Sequence, residues 1–185
     1  MSATADATTT WTIDPSHASV EFSVRHLMIA TVKGRFSDVS GRVITDDSDL
    51  TKSQVEVTIG VNSIDTREAQ RDTHLHSPDF FDAETFPTIT FRSTRITDVS
   101  NGNLELVGNL TMHGVTREVA LDVVAEGRGK DPWGGERAGF SETGKIKRSD
   151  FGLVWNQVLE TGGVAVGDEV KIAIDVELVK QAQAA

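Results

Sequence analysis

Apolar residues recur at every second position through one segment of this chain after another. The four clearest rows are Val55, Val57, Ile59 and Val61; Leu104, Leu106, Leu110 and Met112; Val115, Val119, Leu121 and Val123; and Val170, Ile172, Ile174, Val176 and Leu178. A period of two is typical of β-strands that are buried on one face, and a helix cannot sustain it. The pattern predicts an all-β, antiparallel fold, either a sandwich of two sheets or a barrel with an apolar interior.

Composition restricts the class of protein further. A chain of 185 residues that is 38% hydrophobic can bury one sizeable core, so we predict a single domain over residues 11–180 with short tails at 1–10 and 181–185. The formal net charge of −10 repels nucleic-acid phosphates and anionic lipid surfaces, which argues against a nucleic-acid partner. Since the chain contains no cysteine, it has no disulfide, thiolate nucleophile or Cys-based zinc site.

Turn residues divide the chain into about eight strands. Asn101-Gly102 is a strong type I′ hairpin signal, and His113-Gly114 predicts a second turn. Gly34 and Gly41 predict bends or a bulge within one long strand. The predicted strands cover residues 11–13, 17–27 after a turn at 14–16, 32–45, 53–61, 88–99, 103–112, 115–127, 136–148 and 168–179. Sequential hairpins of this kind favour an up-and-down barrel over a Greek-key sandwich.

The alternation stops between residues 63 and 86, where helix signals begin. Asp65 and Glu68 are spaced as a capping box before a predicted helix over residues 67–75, and Ser77-Pro78 predicts the start of a second helix. The crossover ends in three aromatic residues that need burial, and a barrel mouth offers a place for them: Phe80, Phe81 and Phe86. We therefore expect this segment to be either a fixed plug or a movable lid.

A few polar residues share a face with the apolar rows. His26 has the parity of the first long strand's apolar row, Glu142 and Arg148 that of Phe140, and Arg117 that of Val119. An unpaired buried charge costs several kcal/mol, so each should be paired, lie near an open end or face a ligand. Because Arg117 and Arg148 lie close to turns, we expect them at the rim, and for each of these residues a structural ion pair or strand-end snorkelling is favoured over contact with a ligand.

Neither metal binding nor catalysis is favoured by the histidines. His74 and His76 would lie about 200° apart around a helix, and His17 and His26 face opposite sides of one strand. His74, Asp72 and Arg71 could form an acid–base group on a helical lid, or could simply anchor the crossover. No phosphate loop or nucleophile elbow is present in the sequence. We therefore predict no catalytic residues, no metal and no cofactor.

The motifs along nearly the whole chain resemble one family. Those that carry the resemblance occupy residues 13–27, 34–36, 71–75, 80–82, 86–91, 108–116 and 148–152. Taken together and in order, they are similar to the YceI-like family of polyisoprenoid-binding proteins. The resemblance implies an elongated, eight-stranded, antiparallel, lipocalin-like barrel whose apolar pore holds a long isoprenoid or acyl-like chain, often in a dimer. Many relatives carry a signal peptide, which residues 1–10 do not resemble, so we expect a cytoplasmic location.

The sequence thus predicts non-enzymatic binding, storage or transport of a long apolar ligand, such as a polyisoprenoid or an isoprenoid quinone. A ligand head group, if present, would sit at the mouth near His26, Arg71, His74 or Arg148. The predicted apolar wall consists of Phe22, Val24, Phe36, Val57, Ile59, Phe91, Leu106, Leu110, Val119, Leu121, Phe140, Ile146, Ile172 and Ile174. The alternatives are a small enzyme that acts on a hydrophobic substrate through His74 and Asp72, and a stress or interaction module with a solid core.

Overall fold

A computed structural model describes residues 7–182, apart from the side chain of residue 99. Over that range the chain forms ten strands and one α-helix: β1 (Thr8–His26), β2 (Ala30–Phe36), β3 (Val39–Asp46), β4 (Gln54–Gly60), β5 (Ile64–Asp65), α1 (Ala69–His76), β6 (Thr88–Ser100), β7 (Asn103–Met112), β8 (Val115–Lys130), β9 (Glu136–Lys147) and β10 (Val166–Lys180). Single 3-10 turns occupy Leu50–Lys52, Val61–Ser63 and Arg148–Phe151. Within residues 7–182, no helix has the length and apolar character needed to cross a membrane.

The strands close into a barrel. Each pairs antiparallel with its neighbours, and β10 pairs with β1 from Trp11 opposite Lys180 to His26 opposite Val166. β3 pairs with the first part of β1 and β2 with the last part, so these two short strands share one position in the ring. β4 and β5 share the next position in the same way. The ring therefore has eight positions, which confirms the predicted eight-stranded antiparallel barrel.

Two strands differ from the sequence prediction in where they are interrupted. β1 is one continuous strand, and the predicted turn at residues 14–16 is a bulge in its pairing with β10 between Ile13 and Ala18. The predicted strand 32–45 is broken at Ser37 and Asp38 rather than at its glycines. Gly34 serves another purpose, because a Cβ atom there would lie 2.3 Å from Cζ of Phe22 on the paired strand.

The ends of the strands follow the turn residues closely. Asn101 and Gly102 both have positive φ, and so do His113 and Gly114, as two-residue hairpin turns require. β7 has the predicted bounds. β1 begins at Thr8, so residues 8–10 belong to the barrel and not to a tail, whereas residues 1–6 and 183–185 of the predicted tails lie outside the described residues.

The crossover contains one helix where two were predicted. Glu68 caps α1 directly, because its carboxylate accepts hydrogen bonds from the backbone N–H groups of Gln70 and Arg71. The prediction of a second helix after Ser77 was wrong. Residues 77–86 form successive hydrogen-bonded turns, and Asp82 adopts a left-handed conformation that interrupts helical continuation.

Candidate functional site

The barrel encloses a cavity of about 260 Å³. Its wall is built almost entirely from apolar side chains of all eight strand positions, since alternate residues of each strand point inward. The wall extends from Ile13 to Val24 on β1, opposite Leu178 to Val170 on β10, and these eight residue steps of β10 correspond to roughly 27 Å of strand. At the opposite end from α1 the cavity reaches Leu50 and Ser53, in the connection between β3 and β4. An elongated apolar space of this kind suits a long hydrocarbon chain.

All but three of the residues predicted to bind the ligand line this cavity. These are Phe22, Val24, Phe36, Val57, Ile59, Phe91, Leu106, Leu110, Val119, Leu121, Phe140, Ile146, Arg148, Ile172 and Ile174. In the strands for which the sequence shows an apolar row, that row therefore supplies residues of the cavity wall. Their role in binding stays a prediction.

One end of the cavity is covered by a cap, which we define as α1, the turns of residues 77–86 and the loop of residues 152–165. Leu75, Phe80 and Phe81 of the cap line the cavity, and Phe81 packs edge-on against Phe36 with a centroid distance of 5.9 Å. Phe86 does not line the cavity and packs on His113 instead, at 5.2 Å between ring centroids. Sequence reasoning placed the aromatics at the mouth but missed Leu75, whose only signal was its position in the predicted helix.

Arg148 holds the cap to the barrel. Its guanidinium is buried and donates hydrogen bonds to the backbone carbonyls of Gly167 (2.8 Å), Leu153 (2.7 Å), Trp155 (2.9 Å) and Val166 (3.2 Å). Burial lowers the pKa of Arg148, and the nearby carboxylate of Asp168 partly offsets this. With most of its N–H groups committed to carbonyls, Arg148 fixes the 152–165 loop rather than presenting a free cation to a head group.

Glu142 is a second charged side chain on an apolar row. It was not included among the predicted ligand-binding residues. It lies on β9 and lines the cavity, between Val123 of β8 and Ile174 of β10. Burial alone raises the pKa of its carboxyl to about 7. Glu142 is therefore an ionisable group with part of its surface open to an otherwise apolar space.

The structure does not support a head-group site formed by His26, Arg71 and His74, since none of them lines the cavity. His26 is the last residue of β1 and pairs in regular register with Ala30 of β2, but it lies beyond Val24, the last residue of β1 that lines the cavity. Arg71 donates to the hydroxyl and carbonyl oxygens of Thr66, both at 2.8 Å. That contact ties α1 to the end of β5 and holds the guanidinium outside the wall.

The residues proposed for acid–base chemistry are not assembled. Nε2 of His74 lies 2.8 Å from a carboxylate oxygen of Asp79, while the carboxylate of Asp72 accepts hydrogen bonds from the N–H and hydroxyl groups of Thr66. The imidazole packs edge-on against Trp155 at 4.8 Å between centroids. His74 and Asp72 thus anchor the cap, as the alternative interpretation of these residues held.

A cluster of polar residues lies near the other end of the barrel. Asp14, His17 and Glu177 could offer three metal ligands, but Arg137 donates to the carboxylates of Asp14 and Glu177 and to that of Asp131. Hydrogen bonds from Ser16, His17 and Arg137 hold the pKa of Asp14 far below its usual range. The guanidinium already pairs with all three carboxylates and offsets part of their charge. Arg117, the remaining charged residue on an apolar row, is exposed near the His113 turn, as expected.

Comparison with known proteins identifies the family. The model of the YceI-like domain matches residues 11–178. The chain belongs to the YceI-like family. A UPF0312 protein of Vibrio cholerae is 42% identical over 138 residues, which cover 75% of this chain and 73% of the relative.

Solved structures share the fold. A YCEI protein of Campylobacter jejuni is 34% identical, with a TM-score of 0.72 and coverage of 85% of this chain and 90% of the other. A domain from Saccharophagus degradans described as polyisoprenoid binding has a TM-score of 0.66 at 15% identity, and covers 92% of this chain and 98% of the other. Both structures share the closed barrel fold described above.

Proposed function

We propose that this protein binds a long apolar ligand, such as a polyisoprenoid, an isoprenoid quinone or a related lipid, inside its barrel, and stores or transports it unchanged. The observation that carries the proposal is the cavity of about 260 Å³ with its nearly continuous apolar wall. Each Å² of apolar surface that a ligand buries there contributes roughly 25 cal/mol before the costs of association are subtracted.

The shape of the site supports a chain-like ligand. The wall extends for roughly 27 Å beside β1 and β10, from Ile13 opposite Leu178 to Val24 opposite Val170, and its lining comes from all eight strand positions. The similarity to the S. degradans domain, which is described as polyisoprenoid binding, agrees with this ligand class. A homodimer and a cytoplasmic location stay predictions.

The two alternative functions have less support. The cavity contradicts a module with a solid core. An enzyme that used His74 and Asp72 would need both residues at the substrate, yet neither lines the cavity and each is engaged with a different partner.

Binding of a fluorescent fatty-acid analogue and of a farnesyl-type probe to the delipidated protein tests the proposal. Val119→Glu would place a carboxylate on the wall beside the Leu121 row, whereas Glu118→Val changes an exposed position next to it on β8. We expect Val119→Glu to weaken probe binding at least tenfold and Glu118→Val to leave it unchanged, since a tenfold loss corresponds to about 1.4 kcal/mol.

Circular dichroism establishes that both variants are folded before binding is compared. If the wild-type protein binds neither probe, the proposal is wrong whatever the variants do. Equal loss of binding in the two variants would place the ligand outside the barrel.

A further inference from the structure

Glu142 interrupts an apolar row that crosses the sheet in register. The row consists of Phe36, Val20, Ile174, Glu142, Val123 and Leu104, each paired with the next on the neighbouring strand. All six residues line the cavity. Glu142 lies near the middle of β9, six residues from Arg148 and therefore about 20 Å of strand from the capped end. Its carboxyl group is thus deep inside the barrel.

No residue between 7 and 182 offers this carboxyl group a hydrogen-bond donor or a cation, and burial is the only cause of its raised pKa. The other charged residues along the cavity do not compensate it. Arg148 donates to backbone carbonyls, and the carboxylate of Glu21 is exposed, where it accepts a hydrogen bond from Ser19 at 3.3 Å. The residues paired with Glu142 on the adjoining strands are apolar: Val123 on β8 and Ile174 on β10.

An unsatisfied carboxyl group in this position carries a free-energy cost that an apolar residue would avoid. A leucine would fit the pattern of the row, so packing alone does not account for the glutamate. Ionisable groups that are desolvated inside a cavity and lack a structural partner are typical of binding or reactive sites. A ligand that supplies the missing hydrogen bond would remove the cost.

We propose that Glu142 binds the polar end of the ligand, and that this end is an uncharged or cationic group with an N–H or O–H donor: an alcohol, an amide or an amine. This inference rests on the proposed function and names the ligand's head group. A neutral carboxyl group both donates and accepts, and a carboxylate accepts, so each form pairs with such a donor. An anionic head group, such as a carboxylate or a phosphate, would meet another negative charge at low dielectric.

The inference also fixes the orientation of the ligand. The polar end lies about midway along the barrel, on Glu142, and the apolar chain extends along the wall from there. The capped end, where sequence reasoning placed the head group, instead contacts hydrocarbon through Leu75, Phe80 and Phe81.

Three probes with the same hydrocarbon chain test the head-group preference: oleyl alcohol, oleylamine and oleic acid. Each displaces a fluorescent apolar probe from delipidated wild-type protein, Glu142→Gln and Glu142→Leu at pH 8. We expect the wild type to bind the alcohol and the amine at least tenfold more tightly than the acid. In Glu142→Leu this preference should fall to less than threefold, while Glu142→Gln should lose discrimination against the acid and keep its affinity for the alcohol.

The fluorescent probe separates the two proposals. If it binds all three proteins but the ranking of the oleyl compounds is the same in each, Glu142 does not recognise the head group and the inference is wrong, while the proposed function stands. If no probe binds any of the proteins, both are wrong. Circular dichroism of each variant shows that the comparison is made between folded proteins.

Discussion

Glu142 lies on β9 and Arg148 follows directly after the end of that strand, six residues further on; both line the cavity, but their surroundings are opposite. The arginine is buried under the cap with four carbonyl oxygens around its guanidinium. The glutamate lies in the middle of the cavity with only apolar neighbours on the adjoining strands. Arg148 therefore binds the protein's own backbone, whereas the carboxyl group of Glu142 remains available to a ligand that enters the barrel.

This difference shows what a parity argument can and cannot detect. The alternation of β9 identified both side chains as inward-facing because that property is local to the strand. Whether an inward charge is satisfied depends on distant segments. The partners of Arg148 come from a loop and from the start of β10, and nothing in the period-two pattern shows that they surround it.

The strongest way to break the comparison is Arg148→Met, which keeps an unbranched apolar stem and removes the guanidinium with its donors. Four backbone carbonyls would each lose a hydrogen bond, although that of Val166 would keep one from Asn156, so we expect the free energy of unfolding to fall by about 3 to 5 kcal/mol. Urea unfolding followed by tryptophan fluorescence measures the change, since Trp155 lies in the loop that Arg148 holds.

Arg117→Met is the matched control, because Arg117 is an exposed arginine at the end of a strand. Its effect should stay within about 0.5 kcal/mol. Equal effects of the two substitutions would mean that the carbonyl contacts of Arg148 do not stabilise the cap.

Glu142→Leu tests the other half of the comparison, because we expect it to stabilise the folded protein whereas Arg148→Met destabilises it. The folded state raises the pKa of Glu142 from 4.5 to about 7 and so favours the protonated form. Folding is therefore most favourable, as far as this group is concerned, below pH 4.5, and it loses about 3 kcal/mol as pH rises to 7 and above. Leucine does not ionise and has no such loss. In the absence of ligand, the free energy of unfolding of Glu142→Leu relative to that of wild type should therefore rise by about 3 kcal/mol as the pH increases from 4.5 to above 7.

Unfolding of both proteins at several pH values between 4 and 8 measures that difference. Glu118→Leu makes the same substitution at an exposed position on β8 and is the matched control. A flat difference for Glu142→Leu would show that the carboxyl group is solvated in the folded protein.

The smallest effect on stability is expected for His74, a residue of the cap. His74→Ala loses one partly exposed contact with Asp79 and the packing against Trp155, so the free energy of unfolding should fall by roughly 1 kcal/mol. His74→Phe keeps the ring and should recover most of the loss. Affinity for the apolar probe should not change in either variant. Conversion of a bound lipid by wild type but not by His74→Ala would contradict a purely structural role.

Much of the fold could be predicted because it depends on local signals. The period-two rows and the Asn101-Gly102 and His113-Gly114 turns fixed the strands and the inward face. The crossover was harder, since Ser77-Pro78 has the residues of a helix start while Asp82 and the contacts of the aromatics decide otherwise. The residues predicted for the apolar wall line the cavity, whereas His26, Arg71 and His74 do not, and the role of all of them in binding stays a prediction. Arg71 and His74 contact Thr66 and Asp79, five residues away within the crossover, and the period-two pattern of the strands carries no information about such contacts.

The central claim is that the barrel holds a long apolar ligand, and native mass spectrometry of the protein purified from the cells that naturally make it tests this most directly. We expect a mass above that of the bare chain, which disappears after extraction with organic solvent, and an extract that contains a long-chain lipid with a neutral or cationic hydrogen-bonding end group. The bare mass alone, together with no adduct when the delipidated protein is incubated with a long-chain prenol, would contradict the claim.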